Sequence, residues 1–213
     1  MFIKGIERGE APLRNSFPSP LHKGRGINPV RNSNGVKGEG LASNIKETVL
    51  NYLKEHCTMT IASAKEGVPW AAAVFYANDG FTLYFLSDPE SRHSKDIAEE
   101  PVVAVTVNED YHDWREIKGI QMEGKAELVT TEDEMTKAVA TYVEKYSFTA
   151  AYLKLMSSSF PKIAGYLDKL LSRLPFVPSL PTTFTARFYK LTPTKVRFID
   201  NERSFAYHEE FTL

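Results

Sequence analysis

The chain is predicted to be an α+β protein built on an antiparallel barrel of six or seven strands with helices at its edges. Three observations carry that expectation. Short β-prone runs recur from residue 58 to residue 200, and they lack the regular strand-helix alternation that a parallel sheet requires. Two of them, Trp70 to Ala77 and Phe81 to Leu86, flank Asn78-Asp79-Gly80, a hairpin signal because Asn and Gly tolerate positive φ. A third, Val102 to Val107 (VVAVTV), is almost without polar residues, as a strand facing a barrel interior must be.

The elements follow in order. Residues 1 to 41 are rich in Gly, Pro, Asn and Ser, with a loose echo of Pro12-Leu13-Arg14-Asn15-Ser16 in Pro29-Val30-Arg31-Asn32-Ser33. Such a segment buries too little apolar surface to offset its ordering entropy, so a disordered tail is predicted there and a folded domain over 42 to 213. The first 40 residues carry seven cations and three anions, a patch too dilute to define a basic binding arm. Asn44 with Glu47 reads as a capping box, and Ile45, Val49, Tyr52 and Leu53 share one face of a helix ending near His56. Thr58 to Ala64 is a strand closed by Lys65-Glu66-Gly67, after which Pro69 opens the hairpin.

Behind the hairpin, a polar loop carries Ser87, Ser91, Arg92, His93 and Lys95 into a short helix. Hydroxyls, cations and the amides of a helix N-terminus together suit an anionic group. The reading is that this loop holds the phosphate of a flat cofactor lying against the hairpin; a merely solvated loop is the bland alternative. Asn108 to Glu116 is a loop, and Gly119 to Val129 is a long strand in which Gly124 marks a bulge or close approach. Thr131 with Glu134 caps a further helix to about Tyr146. Over 147 to 183, two apolar groups (Tyr152, Leu153, Leu155, Met156, then Ile163, Leu167, Leu170, Leu171, Leu174) suggest short amphipathic helices broken by Pro161, Pro175, Pro178 and Pro181. They read as a peripheral pair, a cofactor lid or a partner surface. Phe184 to Leu191 and Lys195 to Asp200 supply the last two strands.

Several function classes are excluded. A net charge of -1 argues against a general nucleic-acid binder. No Gly-x-Gly-x-x-Gly, Walker loop or Gly-x-Ser-x-Gly is present, and His56, His93, His112 and His208 are scattered with no cysteine pair near them, so no metal site is expected. Neither a transmembrane run nor a signal-peptide core is apparent. The single cysteine, Cys57, is read as an inert buried thiol, and its solitude fits a reducing compartment, the cytoplasm.

Residues 45 to 207 resemble the pyridoxamine phosphate oxidase-like FMN-binding split-barrel family, in particular a poorly characterised bacterial branch. The likeness is carried by Ala73-Val74-Phe75-Tyr76, by Leu83 to Ser87 (LYFLS), by Ser91-Arg92-His93, by VAVTVN, by Asp113-Trp114-Arg115-Glu116-Ile117-Lys118-Gly119-Ile120-Gln121 with Gly124, and by Val196 to Asn201. The resemblance implies a split barrel and a homodimer with FMN in two interfacial grooves. Ala73, Val74, Phe75 and Tyr76 would flank the isoalloxazine ring, with Phe85, Leu86 and Ser87 beside it or its ribityl chain. Arg92 matches the phosphate-binding arginine, with Ser87, Ser91 and Lys95 as further anchors; Trp114 and Gln121 are implied contacts, to this flavin or to the partner's. Where the oxidase has a lysine after that arginine, this chain has His93. Ala77 and Ala72 replace a lysine and an arginine of the oxidase, and Ser204-Phe205-Ala206-Tyr207-His208 replaces its Arg-x-His substrate motif. The expectation is a flavoprotein, an FMN-dependent oxidoreductase acting on a small molecule other than pyridoxamine phosphate. A flavin carrier or sensor without turnover, a haem-handling protein using His93, His112 or His208, and deazaflavin in place of FMN are the alternatives.

Overall fold

The computed structural model describes residues 38 to 146 and 185 to 213, with Thr149 and Gly165. Most of the predicted tail and nearly all of the predicted insertion at 147 to 183 lie outside the described residues. The first helix, α1 (Gly38–Glu55), begins before the predicted cap. Asn44 lies inside it, its carbonyl accepting from Thr48 Oγ1 at 2.9 Å, so no capping box forms there. The stripe Ile45, Val49, Tyr52 and Leu53 is buried as its spacing requires.

Two strands follow, β1 (Thr58–Lys65) and β2 (Val68–Asp79). Glu66 and Gly67 join them, both at positive φ, the pattern of a tight hairpin turn whose twist matches the strands. Beyond β2, Gly80 takes φ 58 at the turn into β3 (Thr82–Ser87). Then come α2 (Arg92–Glu99), β4 (Val102–Asn108), a single 3-10 turn at Trp114–Glu116, β5 (Lys118–Leu128) and α3 (Glu132–Lys145). The Thr131 cap does form: its side chain accepts from Glu134 N at 3.4 Å. The two predicted last strands are one, β6 (Arg187–Asp200), and a further strand, β7 (His208–Thr212), follows it.

The seven strands are ordered β3-β2-β1-β4-β5-β6-β7, and β6 also pairs with β3, which closes the ring. Every pairing is antiparallel. The first half of β6 meets β3 and its second half meets β7, so the structure is a split barrel of the α+β class. Alternation sends Met59, Ile61, Tyr76, Leu83, Phe85, Val105, Ile120 and Val196 into the interior. Outside, α3 lays Met135, Ala138, Val139, Tyr142 and Val143 over Ala77, Tyr84 and Phe188. The α3 cover stops there: along β2 and β4 the outward residues Ala71, Ala73, Phe75, Val102 and Ala104 stay exposed, with Thr60 and Ala62 of β1 half-buried between them. No helix among the described residues is long and apolar enough to cross a membrane.

Candidate functional site

The α2 N-terminus gathers four of the predicted anchors. Ser91 is the N-cap, extended in backbone, its side chain accepting from Ser94 N. Its hydroxyl lies 3.2 Å from Ser87 Oγ and 3.3 Å from His93 Nε2, and donates to Ser94 Oγ at 2.9 Å. Ser87 Oγ in turn is 2.5 Å from His93 Nε2. Three hydroxyls and one imidazole thus form a closed cluster at the end of β3. Burial pushes the His93 ring below its ordinary value, and the nearby Asp96 carboxylate opposes that shift; a neutral ring is consistent with Nε2 facing hydroxyls. The first-turn amides of α2 have no intrahelical acceptor, so an anion arriving here meets amide donors and hydroxyls together.

Arg92, the first residue of α2, is set apart from the other described arginines. Arg115 binds Asp113, Arg187 donates to two backbone carbonyls, Arg197 binds Glu210, and Arg203 binds Asp200 and Glu209. The Arg92 guanidinium lies over the Trp70 ring, 4.5 Å from its centroid, with Nε 4.0 Å from Asp96 Oδ2. Among the described residues, no acceptor is within hydrogen-bonding distance of its two terminal nitrogens. The fork is therefore open, on the residue that stands between Ser91 and His93 of the hydroxyl cluster. Lys95 is not: its Nζ is 2.9 Å from Glu90 Oε2. Asp88, in the same loop, accepts from Glu90 N and Thr185 Oγ1, and the Thr185 bond above all holds its carboxyl below the usual range. Of the cations in this loop, Lys95 is thus paired and Arg92 is open, while Arg187, the cross-strand neighbour of Ser87, donates to the Thr185 and Ala186 carbonyls.

The remaining predicted residues are placed by strand parity. Tyr76 and Phe85 are fully buried inside the barrel, so their side chains cannot reach a ring outside it. Val74 also turns inward against the core, and Leu86 packs beneath α3. Ala73 and Phe75 face out, Phe75 being 59% exposed. Register puts Ala73, Thr60, Thr106, Gln121, Arg197 and Glu210 in one cross-strand row. Ala73 and Gln121 therefore share a face, three strand spacings or about 14 Å apart. Trp114 is exposed and meets Phe205 edge-to-face at 5.2 Å. It borders a hollow separate from that row, lined by Asp113, Arg115, Asn201 and Glu202.

Cys57 is exposed, not buried, because the chain there leaves α1 for β1 and only its backbone is engaged: its carbonyl accepts from Tyr76 N and Tyr146 Oη. The histidines proposed for haem do not converge. His93 is turned onto Ser87, His112 is exposed, and His208 Nδ1 is 3.1 Å from Ala206 O. Among the described residues no group of His, Cys, Asp and Glu is placed to hold a metal ion. Sequence reasoning missed Trp70, Ser94, Asp96 and Arg187. It also missed a cluster near the start of β1, where His56 reaches Tyr52 O at 2.8 Å and Glu109 Oε1 at 2.7 Å. Only the Ser91-x-x-Ser94 cap was readable locally; the other contacts join residues far apart in sequence.

Comparison with known proteins gives a coherent picture. Residues 45–200 match the family model of pyridoxamine 5'-phosphate oxidase. A UPF0306 protein of Haemophilus ducreyi is 30% identical over 107 residues, 49% of this chain and 73% of that protein. Among solved structures, a conserved hypothetical protein from Mycobacterium tuberculosis has a TM-score of 0.52 at 14% identity, covering 78% of this chain and 91% of that one. A heme binding protein from Mycobacterium smegmatis has a TM-score of 0.52 at 16% identity, covering 76% of this chain and 56% of that one. At such identities the structural likeness concerns the fold. The family match is stronger: it runs from within α1 to the end of β6, across every strand that closes the ring, and the chain belongs to the pyridoxamine 5'-phosphate oxidase family.

Proposed function

We propose that the chain binds FMN and acts as an FMN-dependent oxidoreductase on a small planar molecule. The observation that carries this reading is the open guanidinium fork of Arg92, the residue between Ser91 and His93, whose side chains cluster with Ser87 at the start of α2. A phosphate there would accept from the fork, from the first amides of α2 and from a hydroxyl that gives up an internal bond. Ala71 and Ala73, outward on β2 with no bulk beyond Cβ, leave room for a flat ring against the sheet. Bound flavin would supply the hydride and electron chemistry. The chain's own residues orient the ring, hold the phosphate and exclude water from one face, so no side-chain acid or base need be invoked.

The same exposed face, with Phe75 and Val102 each 59% accessible, is the surface on which a second copy would close in a homodimer. Pyridoxamine phosphate is not the substrate proposed, since Ser204 to His208 lacks the oxidase's Arg-x-His. A haem-handling reading draws on the M. smegmatis neighbour. Titrating the apo-protein with FMN, haem and deazaflavin separates the cases. FMN binding with absorbance at about 450 nm, bleached by NAD(P)H and restored by air, supports the enzyme; binding without bleaching supports a carrier or sensor. Saturable haem binding with no flavin uptake would overturn the proposal.

A further inference from the structure

We infer that Trp70 is a positioning residue of the anion site, holding the Arg92 guanidinium in place for a phosphate. This rests on the FMN reading and extends it to a residue outside the loop. Trp70 is near the start of β2, its indole 43% exposed, with the guanidinium carbon 4.5 Å from the ring centroid. Its cross-strand partner on β1 is Ser63. Ser63 Oγ donates to Asp96 Oδ2 at 2.9 Å, and the same carboxylate oxygen is 4.0 Å from Arg92 Nε. Trp70, Ser63, Asp96 and Arg92 thus close a circuit through β2, β1 and α2.

The indole covers one face of the guanidinium, the Asp96 carboxylate lies near Nε beyond hydrogen-bonding distance, and the two terminal nitrogens are left free of partners among the described residues. A free arginine must surrender several rotamers when it binds an anion; one already stacked has surrendered most of them. Lys95 shows the contrast, a flexible ammonium with no aromatic support that is drawn onto Glu90. Trp70 and Ala73, three residues or about 10 Å apart on β2, have opposite parity: Trp70 lies on the side of Ser63 and Ala73 in the outward row with Thr60, so the indole supports the phosphate end of the ligand and is no part of the alanine face that takes its ring.

The test compares FMN with riboflavin, which lacks the phosphate, in the wild type, Trp70→Leu, Trp70→Phe, Arg92→Ala and the Trp70→Leu/Arg92→Ala double variant. Trp70→Leu should weaken FMN about two- to fivefold, the scale of a cation-π contact at an exposed site, and leave riboflavin unchanged. Trp70→Phe, which keeps an aromatic face and guards against a folding artefact, should fall between. In the Arg92→Ala background, Trp70→Leu should have no further effect. Equal loss for both ligands, unaltered FMN affinity, or additive losses in the double variant would overturn the inference while leaving the FMN reading intact. A wild type that does not distinguish FMN from riboflavin would remove both.

Discussion

Gly124→Ala is the perturbation that reaches furthest into this fold. Gly124 faces Pro193 across the β5–β6 ladder, where the register slips between Glu123 and Gly124. A Cβ built at Gly124 would be 2.5 Å from Thr192 O, 2.7 Å from Pro193 Cα and 3.0 Å from Thr192 C. All three are backbone atoms, so no side-chain rotation relieves the clash. β6 is pinned on both sides of this point, to β3 through residues 187 to 191 and to β7 through residues 195 to 199. Displacing Thr192 and Pro193 must therefore disturb ring closure or the β7 pairing. Overpacking in a well-packed site costs about 1–3 kcal/mol, and the immobility of the colliding atoms points to the upper end, about 3 kcal/mol. Urea unfolding is the assay: the midpoint should drop with the slope unchanged. Gly80→Ala is the control, because nothing lies within 4 Å of its Cβ but φ is +58°, so only the left-handed backbone penalty of about 1 kcal/mol applies. If Gly124→Ala is within about 0.5 kcal/mol of wild type, or milder than Gly80→Ala, the close approach described here is wrong.

Other outcomes follow from the same geometry. Arg92→Ala should weaken FMN by about 1.5–3 kcal/mol, the scale of a hydrogen bond to a charged group, measured by fluorescence titration; unchanged affinity removes Arg92 from the site. Tyr146→Phe should cost about 1–2 kcal/mol in thermal or urea unfolding, because its hydroxyl donates to Tyr76 O at 2.6 Å in a buried setting; a neutral result would show that water replaces the phenol. Burial lowers Lys145 to about 8, below the roughly 10.4 of an unfolded chain, so between these values the unfolded state binds more protons. Unfolding free energy should then rise as pH climbs from about 8 to about 10.5, relative to Lys145→Met. A slope of the opposite sign would mean that the carbonyls of Leu53 and His56 and the Tyr76 ring favour the charged amine more than burial disfavours it.

How much of this was legible in the sequence depends on how far apart the partners lie. The first hairpin, the Thr131 cap, the buried stripe of α1 and the glycine at the bulge are local signals, and periodicity or turn chemistry exposes them. The gap expected between the last two strands, residues 192 to 194, has a physical reason for being no gap. Gly124 meets Pro193 while Glu123 meets Lys195, so β6 carries one extra residue there, and a bulge is a place where a strand accommodates proline, so β6 runs through it. The short strand β7 was hidden because His208-Glu209-Glu210-Phe211-Thr212 has only one large apolar residue; its identity comes from β6, where Glu210 meets Lys195 and Arg197.

At the site the same distinction holds. Ser87, Ser91 and His93 are near neighbours in sequence, and a strand end followed by a helix cap brings them together with little help from the rest of the chain. Trp70, by contrast, reaches Arg92 only because α2 packs across β1 and β2, a consequence of the whole barrel. Inward and outward assignments on β2 and β3 also need the tertiary structure, since alternation alone does not say which set faces the core. That is why Tyr76 and Phe85, which match family positions, turn out to be core residues, and why the face left to a ligand is built from alanines. A loop of mixed charge becomes a candidate phosphate site only when one of its cations is held by an indole while the other is neutralised by Glu90; counting positive residues along the chain would rank Arg92 and Lys95 alike, and the packing of Trp70 separates them.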